Sequence, residues 1–260
     1  MKTVILCGGK GTRLREETEY RPKPMVPIGG RPVLWHIMKI YAQLGFKDFI
    51  LCLGYKGEMI KDYFRNYLWY TCDTTLRLGP EPAVKFHTRH NEEDWTVTLA
   101  DTGEETMTAS RVRQIEKYLG DDDTFLLTYG DGVGNIDIPA VIRQHQASKK
   151  VCTVTAVHPP GRFGELALGK DHTVEGFNEK PQTEGGFING GFMVCSREIF
   201  SYLPDDPGMM LEQGPMQRIT ADGKLGAYLH AGFWQPMDTF YEFNLLNRLW
   251  SEKDAPWKIW

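Results

Sequence analysis

Met1-Lys-Thr-Val-Ile-Leu-Cys-Gly-Gly-Lys-Gly-Thr-Arg-Leu14, followed by Arg21-Pro-Lys-Pro-Met25, reads as a buried strand that runs into a phosphate-binding turn with a basic segment behind it. Val4 to Cys7 is a short apolar run suited to a central parallel strand. Gly8, Gly9 and Gly11 then permit a sharp turn whose amides point at whatever sits above the strand's end. With no β-carbon at three positions a polyphosphate can approach the main chain. Arg13 offers a bidentate fork and Lys23 a movable point charge for phosphoryl oxygens. Gly8, Gly9, Lys10, Gly11, Thr12 and Arg13, with Lys23, are therefore a candidate triphosphate cradle.

Other glycine-rich readings fail on spacing. A Walker-type loop needs Gly-Lys-Ser/Thr four residues after its first glycine, but Lys10 precedes Gly11 and no second Gly-Lys pair follows. A dinucleotide fingerprint needs a third glycine where Leu14 stands, and an acid where the chain reads Ile28-Gly-Gly-Arg-Pro32. No serine sits in a strand-turn-helix elbow, and His87-x-x-His90 has neither a cysteine pair nor an HExxH frame.

Outward from the cradle, strand and helix patterns alternate. Pro32 opens a helix with Val33, Leu34, Ile37, Met38, Tyr41 and Leu44 on its apolar face, and Gly45 closes it. Phe49 to Leu53 reads as a strand, Glu58 to Leu68 as a helix, and Phe125 to Tyr129 as a strand ending in Gly130-Asp131-Gly132. Asp137 caps a helix with Pro139 in its first turn, and Val151 to Val157 is the next strand. The alternation predicts an α/β fold, a Rossmann-like three-layer domain with a mostly parallel central sheet and its site at the strands' carboxyl ends. Between about 68 and 106 the pattern loosens, with β runs at Val84 to Thr88 and Trp95 to Ala100, and predicts a small β-rich insertion, a flap or an oligomer contact. Short strands at Glu165 to Leu168, Val174 to Glu179 and Gly191 to Cys195 and helices at Arg197 to Leu203, Glu212 to Ala221 and Thr239 to Glu252 complete one domain over 1–260.

Composition bounds the function. The 260 residues, 41% of them hydrophobic, suffice for one large core. A net charge of −4 supplies no general basic field for nucleic acid or an anionic membrane, so any phosphate affinity is local. Five scattered cysteines in apolar runs read as reduced thiols. With no apolar stretch of membrane-spanning or signal-peptide length, the expected location is cytoplasmic.

Two acids stand out. Asp131 follows an apolar strand between two glycines, and Asp238 follows Phe233-Trp-Gln-Pro-Met237. Two carboxylates joined by phosphate oxygens make the oxygen-rich site that Mg2+ prefers, although by spacing alone an Asp after a strand is more often a helix cap or turn former. Neither Asp131 nor Lys23 is expected in the core.

The combination of Gly8-Gly-x-Gly-Thr-Arg13 and Lys23-Pro-Met25 resembles the sugar-1-phosphate nucleotidyltransferases. The resemblance runs nearly end to end, through Trp35-His-Ile-Met38, Gly54-Tyr-Lys-Gly57, Tyr129-Gly-Asp-Gly132, Pro159-Pro-Gly-Arg-Phe-Gly164, Glu179-Lys-Pro181, Ile188-Asn-Gly-Gly191 and Phe233-Trp-Gln-Pro-Met-Asp-Thr239. It is most similar to the members that use CTP and glucose 1-phosphate, with uridylyl or thymidylyl transfer and a non-catalytic nucleotide-sugar binder as alternatives. The resemblance implies Lys23 at the α-phosphoryl group, Arg13 and the Gly8 to Thr12 amides at the outgoing phosphates, and Mg2+ on Asp131 and Asp238. It places Lys180 on the sugar's phosphate, Glu179, Asn189 and Gly190 around the sugar, and Leu6, Cys7, Thr108, Arg111 and Gly130 near the nucleotide. A homo-oligomer is implied in the same way. On spacing alone the Asn189-Gly190 pair also fits an ordinary hairpin turn.

Overall fold

The computed structural model describes residues 1–87, 94–159, 165–168, 170, 173–178 and 186–260. Seven strands form the central sheet: β1 (Thr3–Leu6), β2 (Asp48–Leu53), β3 (Thr96–Asp101), β4 (Thr124–Tyr129), β5 (Cys152–Val157), β6 (Ile188–Ser196) and β7 (Leu225–His230). Their order across the sheet is β7-β5-β6-β4-β1-β2-β3. β1 pairs in parallel with β2 and β4, β2 with β3, and β5 with β7, while β6 runs antiparallel to both β4 and β5.

Alternation along the strands divides the core into two layers. Ile5, Phe49, Leu51, Leu126, Phe192 and Val194 meet one set of helices: α1 (Val33–Gln43), α2 (Gly57–Arg65), α4 (Ile138–Ser148) and α6 (Phe240–Ser251). Val4, Leu6, Ile50, Cys52, Phe125, Leu127, Met193 and Cys195 face the other way, onto α3 (Thr108–Gln114) and α5 (Pro215–Ala221). This is the three-layer arrangement expected of a sheet whose strands are apolar on both faces. Pro32 precedes α1 and Gly45 follows it in a left-handed conformation, while the Asp137 side chain accepts from the Ala140 amide at 2.9 Å to cap α4. Among the described residues no helix is long and apolar enough to cross a membrane.

Two expectations need correction, and one alternative reading fails. The helix drawn from Glu58 to Leu68 breaks at Asn66, whose φ of −102° and ψ of 20° are not helical, and a short helix resumes at Tyr67–Thr71. The loosened stretch is not a separate insertion throughout: Thr96–Asp101 is an edge strand of the central sheet, anchored by Trp95 packed edge-on against Phe49 at 5.6 Å. Among the described residues of that stretch, the hairpin Asp73–Arg77/Ala83–His87 stands outside the sheet. The Asn189-Gly190-Gly191 segment is not a hairpin turn either. It lies at the start of β6 where the register against β5 shifts, and Gly191 takes φ +79° to absorb the extra residues.

Candidate active site

The glycines of the first turn have separate physical reasons. Gly11 has φ +63°, a conformation that side chains with a β-carbon resist. A Cβ on Gly8 would sit 2.2 Å from the Arg111 guanidinium. A Cβ on Gly9 would meet nothing within 4 Å, and Gly9 lines the cavity above the strand. Arg111, on α3, is buried, and its terminal nitrogens donate to Leu53 O (2.9 Å), Thr102 Oγ1 (2.7 Å), Gly8 O (3.1 Å) and Glu104 O (3.2 Å). These bonds use all four terminal N–H groups, so Arg111 bears on the cavity chiefly by holding the turn in shape.

The two acids meet because a short antiparallel pair sets Trp234–Pro236 against Gly132–Gly134, and the Met237 amide donates to Asp131 O at 2.8 Å. A capping box then fixes Asp238. Glu242 accepts from the Asp238 amide at 2.6 Å and the Thr239 amide at 2.8 Å, while Thr239 Oγ1 accepts from the Glu242 amide. Lys23 Nζ lies between the carboxylates, 2.6 Å from Asp131 and 2.5 Å from Asp238, and Arg13 donates to the other Asp238 oxygen at 2.7 Å. Lys23 was expected outside the core, yet its side chain is only 9% exposed. The apolar stem runs beside Gly11, where an added Cβ would lie 3.2 Å from Lys23 Cβ, and the buried head is tolerated because two anions receive it. Burial pushes the Lys23 pKa down, but Asp131 and Asp238 together outweigh it and hold the ammonium above the ordinary lysine value.

Two cavities open at this end of the sheet. One, of about 240 Å³, is lined by Leu6 to Gly9, Gly11, Lys23, Thr108, Arg111 and Gly130 among others. The second, of about 460 Å³, includes Asn189, Trp234, Asp238 and Glu242. Arg13, Tyr129 and Asp131 line both. Asn189 and Gly190 reach the second cavity's end of the sheet because β6 runs opposite to its neighbours. The Gly190 carbonyl accepts from Trp234 Nε1 at 2.7 Å, and Asn189 Oδ1 from the Gly191 amide at 2.9 Å. Lys10 lies at the rim, paired with Glu105 at 2.8 Å. Glu179 and Lys180, like the Gly161-Arg162 motif, lie outside the described residues. Among the described residues no cluster of three or more His, Cys, Asp or Glu side chains forms a ready-made metal cage. Asp131 and Asp238 nevertheless bring carboxylate oxygens together, the donor type that a hard divalent cation takes, and here those oxygens receive Lys23 and Arg13.

Sequence reasoning missed Glu242, Glu212 and Trp234. The Thr239-x-x-Glu242 capping signature was legible; nothing local in sequence marks Glu212, whose carboxylate meets Thr108 and Tyr129 from a distant segment.

The Nucleotidyl transferase family matches residues 2–235. Over 260 residues, all of both chains, the sequence is 48% identical to the glucose-1-phosphate cytidylyltransferase of Salmonella typhimurium and equally so to that of Salmonella typhi. Among solved structures, HddC from Yersinia pseudotuberculosis superposes with a TM-score of 0.70 at 22% identity, covering 96% of this chain and 99% of that one, a likeness of fold.

Proposed function

The chain belongs to the nucleotidyl transferase family, and from that premise we propose that it transfers a cytidylyl group from CTP to glucose 1-phosphate, releasing pyrophosphate and CDP-glucose. The observation that carries this reading is the pair of cavities that share Arg13, Tyr129 and Asp131, with Lys23 bridging the two acids beside them. The cavity above the glycine turn takes the triphosphate, and the one bounded by Asn189 and Trp234 takes the sugar phosphate.

The reaction needs no protein nucleophile, because a phosphate monoester with a second pKa of about 6 is already largely ionised near neutral pH. Its oxygen attacks the α-phosphorus while the bond to the pyrophosphate oxygen breaks, and no proton has to move. The protein's task is to hold two polyanions close and offset the charge that accumulates between them. Arg13 and the Gly8 to Thr12 amides receive the outgoing phosphates, Lys23 the α-phosphoryl oxygens, and Lys180 the sugar's phosphate. Leu6, Cys7, Thr108, Arg111 and Gly130 form or support the nucleotide side; Glu179, Asn189 and Gly190 form the sugar side. Asp131 and Asp238 would hold Mg2+, whose contribution when bound is to neutralise phosphate oxygens.

The enzyme is expected to act in the cytoplasm as a homo-oligomer. The test is pyrophosphate release with glucose 1-phosphate and CTP, UTP, dTTP or GTP in turn. Preference for CTP is the expected result; preference for UTP or dTTP rejects the base assignment, and binding without turnover in excess magnesium rejects catalysis.

A further inference from the structure

Glu212 lies on the connection between Arg197–Tyr202 and α5. Its Oε2 accepts from Thr108 Oγ1 at 3.0 Å, and its Oε1 accepts from the Tyr129 hydroxyl. Thr108 and Tyr129 are side chains from different elements, and both line the nucleotide cavity. Thr108 Oγ1 also accepts from the Leu211 amide at 2.7 Å. A hydroxyl has one proton and two lone pairs, whereas a carboxylate has no proton to give. Thr108 therefore commits its proton to Glu212 and one lone pair to Leu211, and keeps a single lone pair. Tyr129 is fixed in the same sense, because its hydroxyl proton is donated to the other oxygen of that carboxylate.

We propose that Glu212 is a specificity-determining residue which, by drawing the Thr108 and Tyr129 protons away from the cavity, makes its wall a hydrogen-bond acceptor that favours an amino-bearing pyrimidine over a keto-bearing one. Cytosine carries an exocyclic amine where uracil and thymine carry a carbonyl, so one base finds a partner and the others meet lone pair against lone pair. The inference rests on the cytidylyl reading above and deepens it by naming what sets the base preference.

The experiment compares kcat/KM for CTP and UTP, and Kd for each by calorimetry, in the wild-type protein, Glu212→Gln and Thr108→Val. The glutamine amide can donate to Thr108, freeing the hydroxyl proton to face the cavity, while valine removes the acceptor without changing the side chain's shape. The expected result is a CTP-to-UTP ratio lowered about tenfold or more in each variant, carried by KM and Kd. If Glu212→Gln lowers both substrates equally and leaves the ratio intact, Glu212 is merely structural and the inference is overturned. Should that variant not fold, an unchanged ratio in Thr108→Val overturns it instead. A wild-type protein that itself prefers UTP defeats the cytidylyl reading, an outcome distinct from a CTP-preferring wild type whose ratio the variants do not move.

Discussion

Lys23 and Arg13 together balance the charges of Asp131 and Asp238, and Lys23 alone bridges the two acids. Replacing the ammonium with a neutral group leaves two carboxylates facing each other in a partly buried setting. Lys23→Met is therefore expected to lower turnover by about 100-fold or more and stability by roughly 1–3 kcal/mol. Because a divalent cation can occupy the space between the same oxygens, magnesium should raise the urea midpoint of the variant more than that of the parent; equal increments would argue against a metal site there. The glycines make a sharper comparison. Gly9→Ala adds a methyl group to open space, so it should leave the urea midpoint unchanged yet weaken triphosphate binding measured by calorimetry. Gly8→Ala drives a methyl group into Arg111 and should impair both. The glycine run was legible in sequence as a sharp turn, but the partner that leaves no room for a side chain at Gly8 comes from α3, about a hundred residues on, and no local pattern could reveal it.

At the level of elements, α1 and the C-terminal tail are joined through one histidine. His36 is fully buried, with Nε2 2.9 Å from Ile28 O and Nδ1 accepting from Trp257 Nε1 at 3.4 Å, and its ring meets Trp35 and Trp250 edge-on. That pattern requires a neutral imidazole protonated on Nε2. Burial lowers its pKa from the ordinary 6.5 to about 4, so between those values the unfolded chain binds a proton that the folded chain refuses. The stabilisation is complete above about pH 6.5 and is lost as pH falls toward 4, at a total of roughly 3 kcal/mol. Urea titrations at pH 7.5 and 4.5 should show a smaller fall for His36→Gln than for the parent; identical slopes would show that His36 is not the group responsible. The capping box of α6 bears on the site in a different way. Thr239→Ala should cost about 1 kcal/mol and, by loosening the Asp238 backbone, raise the magnesium concentration needed for half-maximal activity.

For the whole molecule, the sequence carried the layered α/β plan because the five inner strands, largely buried on both faces, leave strong apolar runs, and the caps of α1 and α4 are local chemistry. Strand direction was less legible. β6 runs against its neighbours, and β3 joins the sheet edge across a turn-rich stretch, because pairing partners are chosen by contacts distant in sequence. The same long-range assembly brings residues from the first turn, from the end of β4 and from the stretch before α6 around two adjoining cavities. Their shared wall constrains kinetics. If both substrates occupy their cavities together, initial-velocity plots with CTP and glucose 1-phosphate should intersect, as a ternary complex requires. Parallel lines would demand a covalent nucleotidyl intermediate and hence a nucleophile in the wall. Cys7 is a thiol lining the cavity above the glycine turn, and burial pushes its pKa well above the ordinary cysteine value, which suppresses the thiolate. Cys7→Ser is accordingly expected to retain most of the activity, and its loss together with parallel plots would replace direct displacement by a two-step transfer.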